Sequence, residues 1–362
     1  MATTEEARRD ALAERLFGAA LGAYELFTVH LGDRLGLYRA LAGGEEMTPA
    51  DLAGATGTQE RYAREWLEQQ AVAGILEVDD QAAAPDERRY RLPAEHAEVL
   101  TDRDSLAYLT PMARYAVAFG KVLEAVEQAF RAGGGVAWEA YGSFGREAQA
   151  DANRPVFLNL LGSEWLPAIP DVHERLSADP PPRIADVACG GGWSSIAMAL
   201  AYPNATVDGY DVDEPSIELA RRNAQEAGVD DRVRFHVRDG AERGDEGAYQ
   251  LVTVFEAVHD LSRPVDFLRT LRGLVAADGA VVVMDERVAD EFTAPGDEVE
   301  RLMYTYSVLC CLPVGLSETP SAGTGTVMRA DTLRGYAREA GFADVEVLPI
   351  EHEVFRLYRL VG

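Results

Sequence analysis

Ile184-Ala185-Asp186-Val187-Ala188-Cys189-Gly190-Gly191-Gly192-Trp193-Ser194 is the stretch from which the rest of this chain is read. Apart from Asp186 its opening is apolar, as in a buried strand, and three glycines follow. Ser195 to Tyr202 then reads as an apolar, alanine-rich helix. Strand, tight turn and helix is the order implied. Glycines let such a turn bring its backbone close to a ligand, where a Cβ would collide. The helix start behind it offers unbonded N–H groups. The stretch is therefore a candidate nucleotide-type binding turn.

Downstream, strand and helix alternate. Strands are expected at 184–188, 205–211, 233–238, 250–255 and 280–285, and helices at 192–202, 214–227 and 264–276. Pro215 near a helix start and Gly228 at its end fit the usual asymmetry. Such alternation predicts a parallel, doubly wound sheet with right-handed crossovers. The pattern breaks after 285. It resumes with a helix at 331–340, ended by Gly341, and strands at 344–349 and 352–360. With almost no loop between them, these last two must pair antiparallel.

Ligands on such sheets sit beyond the carboxyl ends of the strands. The first end carries Asp186, Gly190 and Gly192. The second carries Asp211, nineteen residues past Gly192, where a carboxylate can accept both hydroxyls of a ribose. The third is Asp239-Gly240-Ala241, suited to an adenine edge. The fourth is Phe255-Glu256-Ala257-Val258-His259-Asp260, and the fifth is Asp285-Glu286.

The N-terminal part reads differently. Residues 8 to 41 have helical apolar spacing through Leu12, Leu16, Ala20, Tyr24 and Phe27. Thr48, Pro49 and Asp51 mark a helix start. Gly57-Thr58 is expected to make a turn and a second N-cap, before a helix from Arg61 to Ala73. Ile75–Val78 and Arg89–Leu92 are short strand candidates. Helix, turn, helix and hairpin make a winged-helix arrangement. A reading helix would enter the major groove, but this one carries Glu60, Glu65 and Glu68 beside Arg61 and Arg64. The whole chain of 362 residues has a net charge of −27, which repels phosphates and anionic membrane surfaces. A dimerisation and substrate-capping domain is the expectation.

Residues 101 to 175 read as mostly helical and aromatic-rich, interrupted by Gly133-Gly134-Gly135. The expected domains are 1–100, 101–175 and 176–362. Lys121 is the single lysine, which disfavours Schiff-base chemistry. Cys189, Cys310 and Cys311 form neither a disulfide framework nor a CxxC motif. Met1 to Arg15 lacks a signal-peptide core. Leu302 to Ser317 contains Pro313 and is too short to span a bilayer. A soluble, cytoplasmic protein is expected.

At its strand ends the chain resembles the class I S-adenosylmethionine-dependent methyltransferases. The resemblance covers residues ~180–362 and, in architecture, the N-terminal part as well. The family's first motif is an acid followed by three alternate glycines, and Asp186, Ala188, Gly190 and Gly192 stand at those positions. Ala188 departs from glycine, so a wider turn is expected there. A dinucleotide-binding dehydrogenase would instead show GxGxxG, where this chain has Gly190-Gly191-Gly192-Trp193-Ser194-Ser195. The closing antiparallel strands also match the family. The winged helix, helical connector and sheet resemble the small-molecule O-methyltransferases of plants and actinobacteria. The likeness is closer to an actinobacterial subgroup, on Glu60-Arg61-Tyr62-Ala63-Arg64-Glu65-Trp66-Leu67, Pro93-Ala94-Glu95-His96-Ala97 and Glu164-Trp165-Leu166-Pro167.

The resemblance implies an α/β fold: a seven-stranded Rossmann-like methyltransferase sheet with an N-terminal α-helical winged-helix domain. It implies S-adenosylmethionine as cofactor and S-adenosylhomocysteine as product. The implied contacts are Asp186, Ala188, Gly190, Gly192, Asp211, Val212, Asp239, Gly240 and Glu256.

It also makes His259 the catalytic histidine. Methyl transfer is an in-line displacement, and a hydroxyl nucleophile gains from losing its proton to an imidazole. Asp285 or Glu286 would fix the tautomer. Alternatively His259 packs under the cofactor, and Asp260 caps the next helix. His30, His96, His173, His236 and His352 stand singly and read as structural or exposed. No second histidine lies at ligand spacing, so no metal is expected.

Leu302 to Met328 would supply a substrate-lining helix and lid, or bury a dimer interface. Tyr115, Phe119, Trp138, Tyr141, Trp165, Tyr304 and Cys310 are the candidate pocket. Cys310 and Cys311 read as packing residues, since no histidine is near in sequence. The leading reading is a homodimer that methylates a hydroxyl of a small metabolite and binds neither nucleic acid nor membrane. The alternatives are C- or N-methylation, a cofactor-sensing DNA-binding regulator, and a nicotinamide-dependent oxidoreductase.

Overall fold

A computed structural model describes residues 3–238 and 246–362. It divides into two compact units, Met1–Ala118 and Phe119–Gly362.

In the first unit, α1 (Thr4–Arg34) starts with a capping box between Thr3 and Glu6. The expected continuous helix over 8–41 is broken, because Gly36 adopts φ +72° before α2 (Leu37–Leu41). The Thr48–Asp51 capping box opens α3 (Pro49–Thr56) as read from the sequence. The N-cap of α4 (Glu60–Val72) is Gln59. Thr58 is not the cap, and its hydroxyl instead lies 3.0 Å from that of Thr56. A short antiparallel wing, β1 (Glu77–Val78) and β2 (Tyr90–Arg91), and α5 (Ala94–Thr101) follow. Leu41, Leu52, Leu67 and Leu92 fill the core with Tyr38 and Trp66, whose rings meet edge to face at 5.0 Å. By contrast, Leu12, Leu16, Phe17, Leu21 and Tyr24 of α1 are exposed.

The boundary falls within α6 (Thr110–Ala132), so residues 101–175 do not form a unit of their own. In the second unit, α7 (Gly142–Val156) runs into a π-helical stretch, Phe157–Trp165, followed by α8 (Pro170–Leu176). The alternating region then gives β3 (Arg183–Val187), α9 (Trp193–Ala201), β4 (Thr206–Asp211), α10 (Glu214–Glu226), β5 (Val233–Val237), β6 (Tyr249–Phe255), α11 (Pro264–Leu274) and β7 (Val275–Glu286). After these come α12 (Glu298–Tyr306), α13 (Leu312–Gly315), α14 (Ala330–Ala340), β8 (Asp344–Val347) and β9 (Phe355–Val361).

The sheet order is β5-β4-β3-β6-β7-β9-β8. Pairs from β5 through β7 are parallel, and β9 is antiparallel to both β7 and β8. Two strand starts in the sheet differ from the sequence reading by more than two residues. β7 begins at Val275, where helix was expected to 276. β9 begins at Phe355 rather than 352, because His352 organises a turn: its Nδ1 accepts from the N–H groups of Val354 (3.2 Å) and Phe355 (3.1 Å).

Helical spacing explains the packing. α11 buries Phe267, Leu268, Leu271 and Leu274 in one cluster with Leu333 and Ala337 of α14 and Val252 and Val254 of β6. Each such large side chain contributes roughly 1.5–3 kcal/mol on full burial. The chain winds outward from β3 to β5, then returns to β6 on the other side of β3. That reversal opens a crevice at the carboxyl ends of β3 and β6. No described helix is long and apolar enough to cross a membrane.

Candidate active site

The turn after β3 is held from below. Asp186 is fully buried and accepts hydrogen bonds from Ser194 Oγ and Ser195 Oγ, each at 2.6 Å, and from Thr253 Oγ1 at 2.8 Å. Burial raises its pKa, while those hydroxyls and the Ser195 N–H oppose the rise. The expected ligand contact is thereby corrected. The Asp186 carboxylate ties the turn to α9 and β6 and is not offered outward.

Ala188 keeps a left-handed backbone, φ +60°. The turn follows a glycine-like path and is not relaxed by the substitution, at a strain of roughly 1–2 kcal/mol. Gly192 has φ +79°, and a Cβ there would lie 2.6 Å from the Phe235 ring and 2.8 Å from Ala220 Cβ.

Asp211 Oδ2 accepts the Gly190 N–H at 2.8 Å, and Oδ1 accepts the Asp213 N–H at 2.9 Å. Each oxygen keeps a free lone pair, and the group is half-buried. A ribose diol can therefore be taken there. Val212 beside it is exposed. Asp213, absent from the sequence-based candidates, caps α10 and pairs with Arg146 Nη2 at 2.8 Å. Asp239 and Gly240 lie outside the described residues. Together the turn and Asp211 fit a nucleoside.

The second half of the site lies at the ends of β6 and β7. Glu256 has φ +51° and accepts from Asn153 Nδ2 (2.5 Å) and Gln149 Nε2 (3.3 Å). Burial, and then Glu286, push its carboxyl up to about 8. Its amide partners come from α7, a link that no strand-end pattern reveals.

His259 is buried in a one-turn 3₁₀ segment, Val258–Asp260. Its Nδ1 lies 2.9 Å from Asp285 Oδ1, with Glu286 Oε2 at 3.1 Å. Burial alone would lower the imidazole pKa. The charges of Asp285, Glu286 and Cys311 overcome it and raise the pKa well above 6.5. Burial pushes Glu286 up to about 8 against the pull of His259, and pushes Asp260 up to about 7. Asp260 does not cap α11, whose N-cap is Arg263.

The π-helical segment Ser307–Cys311 carries the Cys311 thiol close enough to His259 for their charges to act on each other, a neighbour that sequence distance conceals. The Cys310 hydrogen bond draws it down to about 5, against burial and with help from His259. Donor atoms of His259, Asp285 and Glu286 also lie within 4.8 Å of one another, near enough to ligate one metal ion.

Of the aromatic candidates, Phe119 and Tyr141 meet edge to face at 6.3 Å, and Trp138 stacks on Tyr141 at 5.7 Å. Tyr141 donates its hydroxyl to Leu309 O at 2.8 Å and neighbours buried Cys310. Tyr306, in the expected substrate-lining segment though not among the pocket candidates, completes this wall at 5.5 Å from Phe119. Trp165 does not join it. It packs edge-on against His352 (5.5 Å) and Phe355 (6.4 Å) in the core. Tyr304 is also elsewhere, against Phe292 at 6.3 Å. Tyr115 is buried on α6 in the first unit. A concavity of about 470 Å³ between Arg287, Arg334 and Phe355 contains none of the site candidates.

Two family models match this chain: an Rv2258c-like winged HTH domain over residues 23–102 and a methyltransferase domain over residues 180–318. The chain thus joins a winged-helix domain to a methyltransferase domain of the S-adenosylmethionine-dependent class. Among curated relatives, the ubiquinone biosynthesis O-methyltransferase of Vibrio campbellii is 31% identical over 104 residues, which is 27% of this chain and 41% of that protein. The chain matches less than half the length of such relatives. Among solved structures, the mitomycin 7-O-methyltransferase MmcR has a TM-score of 0.67 at 19% identity, over 98% of this chain and 99% of that one. Human N-acetylserotonin methyltransferase, solved in complex with S-adenosylmethionine, has a TM-score of 0.69 at 16% identity, over 100% and 99%.

Proposed function

We propose that this protein transfers a methyl group from S-adenosylmethionine to a hydroxyl of a small apolar or aromatic metabolite, with His259 as general base. The observation that carries the reading is the imidazole bonded through Nδ1 to Asp285, at the strand ends next to the glycine turn and Asp211. The bound cofactor supplies an electrophilic methyl on a sulfonium. The open backbone at Gly190 would admit it closely, Gly192 would keep the turn packed on Phe235, and Asp211 would accept the ribose hydroxyls. Asp239 and Gly240 are assigned to the adenine from the resemblance.

Asp285 holds the Nδ1–H tautomer, which leaves Nε2 to take the proton of the acceptor. The flanking carboxylates stabilise the imidazolium as it forms. Phe119, Tyr141 and Tyr306 give the acceptor an apolar wall. The O-methyltransferase names of several similar proteins favour oxygen as the acceptor atom. Two copies would pair through the exposed apolar side of α1, in the cytoplasm, and serve secondary metabolism.

The test is turnover against a library of hydroxylated aromatics, read as S-adenosylhomocysteine release and as product methylated at oxygen. Methylation at carbon or nitrogen alone, or full turnover by His259→Ala on a true substrate, would overturn the hydroxyl-and-base reading. EDTA leaves turnover unchanged if the three donor atoms at His259 serve only to hold the imidazole.

A further inference from the structure

Four carboxyl groups, Glu256, Asp260, Asp285 and Glu286, surround a single imidazole. His259 supplies one positive charge against them. Asp285 and Glu286 are 0% and 6% exposed, and Asp285 Oδ2 and Glu286 Oε2 receive no hydrogen bond from any described residue. The one Nδ1–H of His259 is directed to Asp285 Oδ1, so Glu286 Oε2 has a charge nearby but no donor. The amides of Asn153 and Gln149 both go to Glu256. A buried acceptor without a donor is unfavourable, more so when ionised.

The neighbouring wall is aromatic. Tyr306 lies close enough to Glu256 and Cys311 for their charges to act on its phenol, and it meets Phe119 edge to face. Aromatic rings beside a group of carboxyls, of which Glu286 and Asp285 each have an oxygen without a donor, are the surroundings that take an ammonium: the rings attract its charge and the oxygens accept its N–H groups.

We infer that the methyl acceptor carries a protonated amine, bound between Glu286, Glu256 and Tyr306, with its hydroxyl turned to His259. This rests on the methyltransferase reading above and adds the substrate class. An acceptor bearing a carboxylate or phosphate would bring like charge into a buried site already rich in acids, and is disfavoured.

Calorimetry on the full chain saturated with S-adenosylhomocysteine tests this with two phenols of similar size, tyramine and 3-(4-hydroxyphenyl)propionate. Tyramine is expected to bind at least ~10-fold tighter. Glu286→Gln should remove most of that preference, and Glu256→Gln serves as the second variant should Glu286→Gln fold poorly. Equal affinities, tighter binding of the propionate, or no binding of tyramine would overturn the inference. Failure of S-adenosylhomocysteine itself to bind would instead sink the methyltransferase reading. The tyramine comparison on the free protein would then still decide the charge preference.

Discussion

A 2.9 Å hydrogen bond from His259 Nδ1 to Asp285 Oδ1 joins the loop after β6 to the end of β7. It fixes the ring with Nδ1 occupied, so any proton taken from an acceptor goes to Nε2. Replacing the imidazole removes that acceptor without touching the glycine turn or Asp211. His259→Ala is expected to lower turnover roughly 10²–10⁴-fold, with S-adenosylhomocysteine affinity unchanged in calorimetry. Loss of cofactor binding in parallel would mean that His259 supports the fold of the site instead.

The same bond sets a pH dependence. A base must be unprotonated to act, and burial of this imidazole is outweighed by the charges of Asp285, Glu286 and Cys311, which hold the proton on. The rising limb of kcat/KM should therefore lie above pH 6.5. Asp285→Asn removes one of those charges and should move the limb toward lower pH, besides lowering the rate. A profile that does not move would separate the limb from His259.

Asp211 holds Gly190 and, in the function proposed above, a ribose. Its Oδ2 receives the Gly190 N–H at 2.8 Å, and charge-assisted bonds of this type contribute about 1.5–3 kcal/mol each. Asp211→Ala should weaken S-adenosylhomocysteine binding by about 10–100-fold by calorimetry. Asp211→Asn, able to keep one acceptor oxygen, should lose less. Equal losses would indicate that charge, and not acceptor geometry, holds the cofactor.

What could be read from the sequence was whatever repeats locally. The 3.6-residue and strand periods gave the sheet, and Thr48–Asp51 gave a helix start that the structure keeps. His259, Asp285 and Glu286 could be grouped from sequence because the first follows β6 and the other two end β7, neighbouring strands of one sheet. Cys311, Asn153 and Tyr306 could not. They reach the site through α7, the end of α12 and the π-helical segment after it, whose register relative to the sheet leaves no local pattern. Trp165 was misplaced for the converse reason, since an aromatic on an amphipathic helix looks alike whether it faces a pocket or the core. Asp186 occupies its motif position, yet its three hydroxyl partners include Thr253, 67 residues away.

Glu256 lends itself to a stability test with a definite sign. Burial and Glu286 hold its folded pKa near 8, above the ordinary 4.5. The native state thus keeps a proton that the unfolded chain releases, and stability on this account falls as pH rises from about 4.5 through about 8. Glu256→Gln keeps the Asn153 contact and removes the titration. Its Tm should exceed that of the parent at pH 8.5 and approach it at pH 4.5. A Tm difference independent of pH would assign the effect to packing.

The turn itself gives the last expectation. Ala188 sits at φ +60° where only glycine is free of penalty. Ala188→Gly removes roughly 1–2 kcal/mol of strain and adds roughly 0.4–1 kcal/mol of unfolded-state entropy. The net is a stabilisation of about 0.5–1 kcal/mol, or roughly 1 °C in Tm for a chain of 362 residues. Gly192→Ala should do the opposite and more strongly, because it combines φ +79° with a Cβ only 2.6 Å from the Phe235 ring. It would push β5 and α10 away from the turn, so S-adenosylhomocysteine affinity should fall along with Tm. If Ala188→Gly proved destabilising, the methyl group would have to be contributing packing worth more than the backbone strain it causes.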